Sequence, residues 1–282
     1  MRIEQFEIPS FKKRTSDSHK GDYGHALIAA GSFGKMGAAV LSVKAALRSG
    51  AGLVTTVIPK VGYEIMQISN PEAMVITGGE NLLTELPNIQ KFDAIAVGPG
   101  IGTEKETVAF LTALLNTDNP PMVVDADALN ILSANKNLQT QIPINSILTP
   151  HIGEFKRLAG EWKTDIEKIE MQKAFSLKHQ VIIILKGANT SITNTNGDVF
   201  FNTTGNAGMA KGSSGDVLTG ILVSLLAQKY EPLETAKLGV YIHGLAGDFA
   251  KESLGETSMN ASDIIAHLPM AFKKVEALNR KS

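Results

Sequence analysis

Ala94-Ile95-Ala96-Val97-Gly98-Pro99-Gly100-Ile101-Gly102 decides how the chain is read. Four apolar residues without polar alternation predict a strand buried on both faces, and they empty into a glycine-containing turn. Residues 107–115 then read as a helix. Met122-Val123-Val124 is a second buried strand, and it ends in Asp125. Strand, glycine turn, helix and strand make the repeating unit of a parallel sheet.

Outward from this unit the alternation recurs. Residues 25–30 form a buried strand followed by Gly31-Ser32-Phe33-Gly34 as a loop. Residues 38–49 have helical spacing, with Val40, Leu41, Ala45 and Leu47 available for a core-facing stripe and Gly50 as the stop. Residues 53–58 are a β-branched strand ending at Pro59. Ile147-Leu148 runs into Thr149-Pro150-His151, and the β-branched run 181–185 ends in Lys186-Gly187. Residues 190–202 predict a hairpin turning at Asn196-Gly197. Helices over 216–228, 233–251 and 262–278 close the chain and should pack over one face of the sheet. The predicted fold class is α/β, with a central, mainly parallel sheet covered by helices on both faces. No linker or internal repeat divides it, so residues 1–282 are expected to form one domain. In such sheets ligands bind beyond the carboxyl ends of the strands. Segments 98–102, 125–130, 149–154 and 186–190 should therefore converge on one cleft.

The composition excludes several functions. A net charge of −1 over 282 residues, with 20% charged, argues against nucleic acid or an anionic membrane as the main partner. The basic residues 12–14 and those at 273–281 read as solvated tail charge. There is no cysteine, which removes thiol catalysis, thiolate metal sites and disulfides together. Met1-Arg2-Ile3-Glu4-Gln5 lacks the apolar core of a signal peptide, and no apolar run is long enough to span a bilayer. A cytoplasmic protein is the expectation.

The most informative stretch for chemistry is Gly205-Asn206-Ala207-Gly208-Met209-Ala210-Lys211-Gly212-Ser213-Ser214-Gly215-Asp216, followed by Val217-Leu218-Thr219-Gly220-Ile221-Leu222. Small residues crowd a turn just before an apolar helix. A helix start offers unpaired N–H groups and the positive end of its dipole, which together bind anions. Ser213, Ser214 and Lys211 add donors. Asp216 has two readings here: a helix-capping acid, or a carboxylate beside bound phosphate acting as general base toward a hydroxyl. The stretch is neither a Walker A loop nor, with the glycines at 98, 100 and 102, part of a Rossmann fingerprint; those glycines also read as a tight turn.

The histidines lack zinc-site spacing. His151 follows a proline at a strand end and is expected in the cleft. Glu154 reads either as a helix N-terminal acid or as a Mg²⁺ contact through a water. Asp125 and Asp127 are expected to orient loops rather than react, and Met209 and Trp162 to pack.

Taken in order, these segments resemble a known family. Lys20-Gly21-Asp22-Tyr23-Gly24-His25, Ala30-Gly31-Ser32, Gly37-Ala38-Ala39, Gly98–Gly102, Asp125-Ala126-Asp127-Ala128-Leu129-Asn130, Thr149-Pro150-His151-Ile152-Gly153-Glu154 and Lys186-Gly187-Ala188-Asn189-Thr190 precede the glycine-rich block. With it, they are similar to the ADP- or ATP-dependent NAD(P)H-hydrate dehydratases of the ribokinase-like superfamily. The resemblance covers roughly residues 8–270. It implies phosphorylation of the C6 hydroxyl of hydrated NADH or NADPH (the S epimer) by ADP or ATP, followed by loss of phosphate. Asp216 would be the base, Gly212, Ser213, Ser214 and Gly215 the anion hole. Lys186, Gly187, Ala188, Asn189, Thr190 and Gly215 would hold the adenine nucleotide. Ala39, Gly102, His151 and Asp216 would lie beside the hydrated dinucleotide, and Mg²⁺ would accompany the phosphates. The resemblance further implies a homotetramer, with ADP favoured as donor, and no epimerase domain in the length at hand. Three positions depart from the family's usual loop: Ala207 for proline, Lys211 for threonine and Ser213 for glycine. A ribokinase-like kinase for a vitamin precursor, such as hydroxyethylthiazole or a pyridoxal-like alcohol, shares the glycine–aspartate loop. A catalytically silent nucleotide sensor is the alternative of another class.

Overall fold

In a computed structural model that describes residues 7–279, strands and helices largely alternate up to residue 185, a β-meander follows, and three consecutive helices close the chain. The readings of Met1 to Gln5 and of Lys281 lie outside the described residues. The strands are β1 (His25–Ala29), β2 (Leu53–Ile58), β3 (Met74–Thr77), β4 (Ala94–Val97), β5 (Met122–Val124), β6 (Ile147–Leu148), β7 (Ile182–Leu185), β8 (Ser191–Thr193) and β9 (Val199–Phe201). Among the described residues they form one sheet in the order β3-β2-β1-β4-β5-β6-β7-β8-β9. Pairing is parallel from β3 through β7 and antiparallel for the β7-β8-β9 meander, so the hairpin around Asn196-Gly197 forms as expected.

The helices are α1 (Met36–Arg48), α2 (Tyr63–Ser69), α3 (Lys105–Leu115), α4 (Ala126–Ala134), α5 (Ile152–Ala159), α6 (Asp165–His179), α7 (Ser214–Ala227), α8 (Pro232–Ser258) and α9 (Ala261–Asn279). Strand residues alternate between two cores. Ala26, Ile28, Ala94, Ala96 and Val123 face α1, α7, α8 and α9. Leu27, Ala29, Ile95, Val97 and Val124 face Phe110 and Leu111 of α3, Leu129 of α4 and Phe155 of α5. The unbroken apolar strands are thus explained by burial on both faces. β3 departs from this: it is an edge strand with Met74 and Thr77 exposed.

Helix α7 is apolar all round because it is buried all round, from Val217 to Ala227. It lies on β1, β4 and β5 and is covered by α1 and α8. The close crossing with α1 depends on Gly220: a Cβ there would lie 2.1 Å from the Ser42 carbonyl oxygen. Gly220→Ala is therefore expected to destabilise the fold by about 3 kcal/mol, the upper part of the range for overpacking. Urea unfolding measures it, and an unchanged midpoint would mean that the two helices separate freely.

Residues 12–14 are exposed, as solvated charge would be, but two of them also have partners. Lys12 Nζ donates to the carbonyls of Gln228 and Lys229 after α7, and Arg14 Nη2 donates to the Gly50 carbonyl after α1 at 2.6 Å. Cations belong at helix C-termini, where carbonyls lack intrahelical partners. Among the described residues, no helix is long and apolar enough to cross a membrane.

Candidate active site

Sheet order singles out one spot for a ligand. The chain runs outward from β1 to β2 and β3, then returns to lay β4 on the other side of β1. Beyond the carboxyl ends of β1 and β4 lies the switch point at which open α/β sheets bind ligands. The two loops there are tied together: Gly31 N–H donates to the Pro99 carbonyl at 2.8 Å and Ser32 Oγ to the Gly100 carbonyl at 2.7 Å. Gly98, Gly100 and Gly102 all have positive φ, so the turn needs glycine whatever it binds. The Gly102 amide donates to Asp127 Oδ2 at 2.9 Å, and the Lys35 ammonium lies 3.3 Å from the same oxygen. Ala39, expected beside substrate, is fully buried. Its methyl packs beneath the Gly31 turn and supports it.

Next along the sheet is a buried ion pair. Asp125, at the end of β5, is 1% exposed. Its Oδ1 accepts from Lys186 Nζ at 2.8 Å and its Oδ2 from Thr219 Oγ1 at 2.8 Å. Burial alone would raise the Asp125 pKa, but the Lys186 charge and hydrogen bonds from Lys186, Thr149 and Thr219 outweigh it and hold the carboxyl below its ordinary value. For Lys186 burial pulls downward, and Asp125, Glu154 and Asp216 hold the ammonium above its usual range. Charge separation is maintained in a place where a lone charge would be costly.

Over this pair lies the start of α7. Asp216 occupies the third helical position, and burial together with the Asp125 charge pushes its pKa up to about 6. A carboxylate titrating near neutrality suits a general base better than a cap does. The missing side chain of Gly215 leaves room here: a Cβ would stand 3.1 Å from Lys186 Nζ and 3.6 Å from Asp125 Oδ2. Ser214 Oγ is 3.4 Å from Nε2 of His243 on α8. Burial pushes the His243 pKa down to about 4, against a hydrogen bond to the Ser214 backbone, so the imidazole is neutral at pH 7.

Ser213, the residue before α7, is left-handed at φ 68°. A side chain is strained at that angle and glycine is not. Ser213→Gly is expected to stabilise the protein by about 0.5–1 kcal/mol. The Ser213 hydrogen bond also lowers the Asp216 pKa, so the same change should move Asp216 upward. Thermal melts test the first effect, and a lower melting temperature would contradict it.

The remaining expected residues fall around these. Residues 186–190 follow β7: Gly187, Ala188 and Asn189 are exposed, and Thr190 Oγ1 closes the turn on the Gly187 carbonyl at 3.1 Å. His151 pairs with Lys186 through an isolated parallel bridge, which joins segments 149–154 and 186–190. The His151 Nδ1 caps α5, accepting from the amides of Gly153 and Glu154. Glu154 Oε2 accepts from the His151 amide at 2.8 Å, which completes a capping box. The Glu154 Oε1 lies outside that bond, 3.5 Å from His151 Nε2. Gly212 is exposed. Lys211, open in the sequence to a phosphate contact or to plain solvation, reaches instead to the Thr257 and Met259 carbonyls at 2.5 and 2.6 Å. Trp162 and Met209 pack against the two cores, as expected.

Sequence reasoning underrated Asp125 and missed Thr219, Thr149 and His243. A signal for Thr219 existed. It stands three residues after Asp216 on α7, so both side chains share one helix face toward the strand ends.

A sheet of this order, layered between helices and carrying a glycine-rich helix start beside a buried Asp–Lys pair, defines a ribokinase-like α/β protein. The family model described as NAD(P)H-hydrate dehydratase matches residues 26–270, and the chain belongs to that family. It is 38% identical over 275 residues to the bifunctional NAD(P)H-hydrate repair enzyme Nnr of Moorella thermoacetica, covering 94% of this chain and 52% of that protein. The chain thus spans about half the length of that relative. It is 38% identical over 258 residues to the ADP-dependent (S)-NAD(P)H-hydrate dehydratase of Neisseria meningitidis, covering 87% of this chain and 83% of that one. Among solved structures, the ADP/ATP-dependent NAD(P)H-hydrate dehydratase of Bacillus subtilis, co-crystallized with ATP/Mg²⁺, superposes with a TM-score of 0.80 at 30% identity, over 95% of both chains.

Proposed function

We propose that the chain dehydrates the S epimer of hydrated NADH and NADPH at the expense of ADP, with ATP as an alternative donor. The observation that carries this is Asp216, raised to about 6 at the start of α7 and set over the Asp125–Lys186 pair. Above that pKa the carboxylate accepts the proton of the C6 hydroxyl. The freed oxygen attacks the terminal phosphorus of ADP, an O–P bond forms, and the bond to AMP breaks. The N–H groups at Gly212 to Gly215 hold the charge that gathers on the phosphoryl oxygens. Lys186 to Thr190 hold the nucleotide. The ring nitrogen's electron pair then expels phosphate from C6, and loss of a C5 proton restores the dihydronicotinamide. The sum is hydrate plus ADP to dihydronicotinamide, AMP and phosphate.

His151 and Gly102, each just past the end of a parallel strand, would lie beside the hydrated ring. Carboxylate oxygens and waters are what Mg²⁺ takes. Glu154, with one oxygen outside its capping bond, would hold the ion through a water together with the phosphates, where it would neutralise charge. We place the reaction in the cytoplasm and the chain in a homotetramer, which light scattering on purified protein tests.

The deciding experiment follows absorbance at 340 nm with hydrated NADH, Mg²⁺ and ADP or ATP. Rising absorbance with release of one phosphate per dihydronicotinamide is expected. A flat trace with accumulation of a stable phosphorylated alcohol from another substrate would make the chain a kinase instead.

A further inference from the structure

The loop before α7 is strapped along α8 at successive points. Thr204 Oγ1 donates to the Tyr241 carbonyl at 3.0 Å. Gly205 N–H donates to Asp248 Oδ2 at 2.9 Å, and Asn206 Nδ2 donates to Asp248 Oδ1 at 3.0 Å. Asn206 Oδ1 in turn accepts from the Gly208 amide at 3.0 Å and caps the short turn Ala207–Met209. Helix α8 is cut away where the loop lies: a Cβ on Gly244 would meet Thr204 Oγ1 at 2.2 Å, and one on Gly247 would meet Met209 Sδ at 2.3 Å. Lys211 then ties the loop to the carbonyls of Thr257 and Met259 at the far end of α8.

We infer that Asp248 is the positioning residue for the anion hole. Through Gly205 and Asn206 it fixes the path of residues 205–211, and Lys211 closes the strap just before Gly212. Donors aimed at developing charge stabilise it only when they are held in place beforehand. A loop of small residues has little stiffness of its own. A carboxylate that accepts from both a backbone amide and a side-chain amide supplies that stiffness from a rigid helix. This inference rests on the proposed use of Gly212 to Gly215 for a phosphoryl group, and it assigns their geometry to α8.

The hydrogen-bond pattern dictates a reciprocal test. Asp248→Asn keeps an acceptor for Gly205 but turns an amide donor against the Asn206 amide donor. Asn206→Asp brings a second carboxylate against Asp248. The double variant Asn206→Asp with Asp248→Asn restores every bond with the roles exchanged. Calorimetry with Mg²⁺ should show each single variant losing about tenfold in ADP affinity, while AMP, which lacks the transferred phosphate, stays within about twofold. The double variant should regain ADP affinity to within about threefold of the parent. Singles that keep the parent's ADP-to-AMP ratio, or a double variant no better than the singles, would overturn the inference, even if melting temperatures fall. The binding comparison stands apart from turnover: a parent protein inactive at 340 nm would sink the proposed reaction and leave this measurement to decide the role of Asp248.

Discussion

Asp216→Asn is expected to cut turnover of hydrated NADH about 100-fold or more, the scale of a lost general base, and to make the protein more stable at pH 7. The second effect follows from the first group's environment. Burial and the Asp125 charge raise the Asp216 pKa from 3.8 to about 6. A carboxyl whose folded pKa lies above its unfolded value contributes stability fully below the unfolded pKa, and that contribution is lost as pH rises through about 6. At pH 7 the ionised group therefore costs on the order of 2 kcal/mol after allowance for partial solvent screening. The asparagine amide avoids this cost. The variant should melt higher than the parent at pH 8, with the advantage fading as pH falls from about 6 and gone below about 4. The parent's kcat/KM should fall on the acid side of about pH 6 as Asp216 protonates. A variant that is slow but no more stable would mean that Asp216 carries little strain in the folded state.

Asp125→Asn should act in the opposite direction on stability. Removing one partner from a buried pair takes from the Lys186 ammonium its nearest carboxylate and leaves only Glu154 and Asp216, at a cost of about 3 kcal/mol, the lower part of the range for a broken buried pair. The pair's contribution has a defined window. Asp125 lies below its ordinary pKa, so its share is present above the unfolded value and lost as acid protonates it. Lys186 is raised above 10.5, so its share persists until strongly alkaline pH. The deficit of the variant should therefore be largest between these limits and shrink in strong acid. The same change should lower the Asp216 pKa on two counts: a repelling carboxylate is lost, and Lys186 is freed to attract. The acid limb of the kcat/KM profile should then move below pH 6 together with a fall in rate, because a weaker base accepts the hydroxyl proton less readily. An unmoved limb would mean that Asp125 does not set the Asp216 titration.

Much of this site is written in local sequence. The strand ends at Val97, Val124 and Leu185 follow from apolar runs stopped by glycine, aspartate or lysine, and the structure ends the strands there. The start of α7 is set by small residues giving way to an apolar helix, and the observed helix begins within two residues of the expected one. The positive φ at Ser213 is the conformation that the glycine implied there by the family resemblance would take up freely. These features depend on residues within a few positions of one another, which is the range over which backbone preference and periodicity act.

What the sequence by itself determined is therefore the class of sheet, the end of it at which the candidate residues gather, and the helix start that carries Asp216. The tertiary structure alone decided which charges meet there. Asp125 and Lys186 are 61 positions apart, and they meet because β5, β6 and β7 run parallel, so that both residues follow strand ends at the same edge of the sheet, where their side chains reach across β6. Lys211 points at the end of α8 rather than at a phosphate because that end, 46 positions away, offers carbonyls without helical partners. Asp248 reaches the loop across 43 positions. A buried carboxylate's partners and pKa are set by the elements packed around it, and that packing is fixed only when distant strands and helices come together.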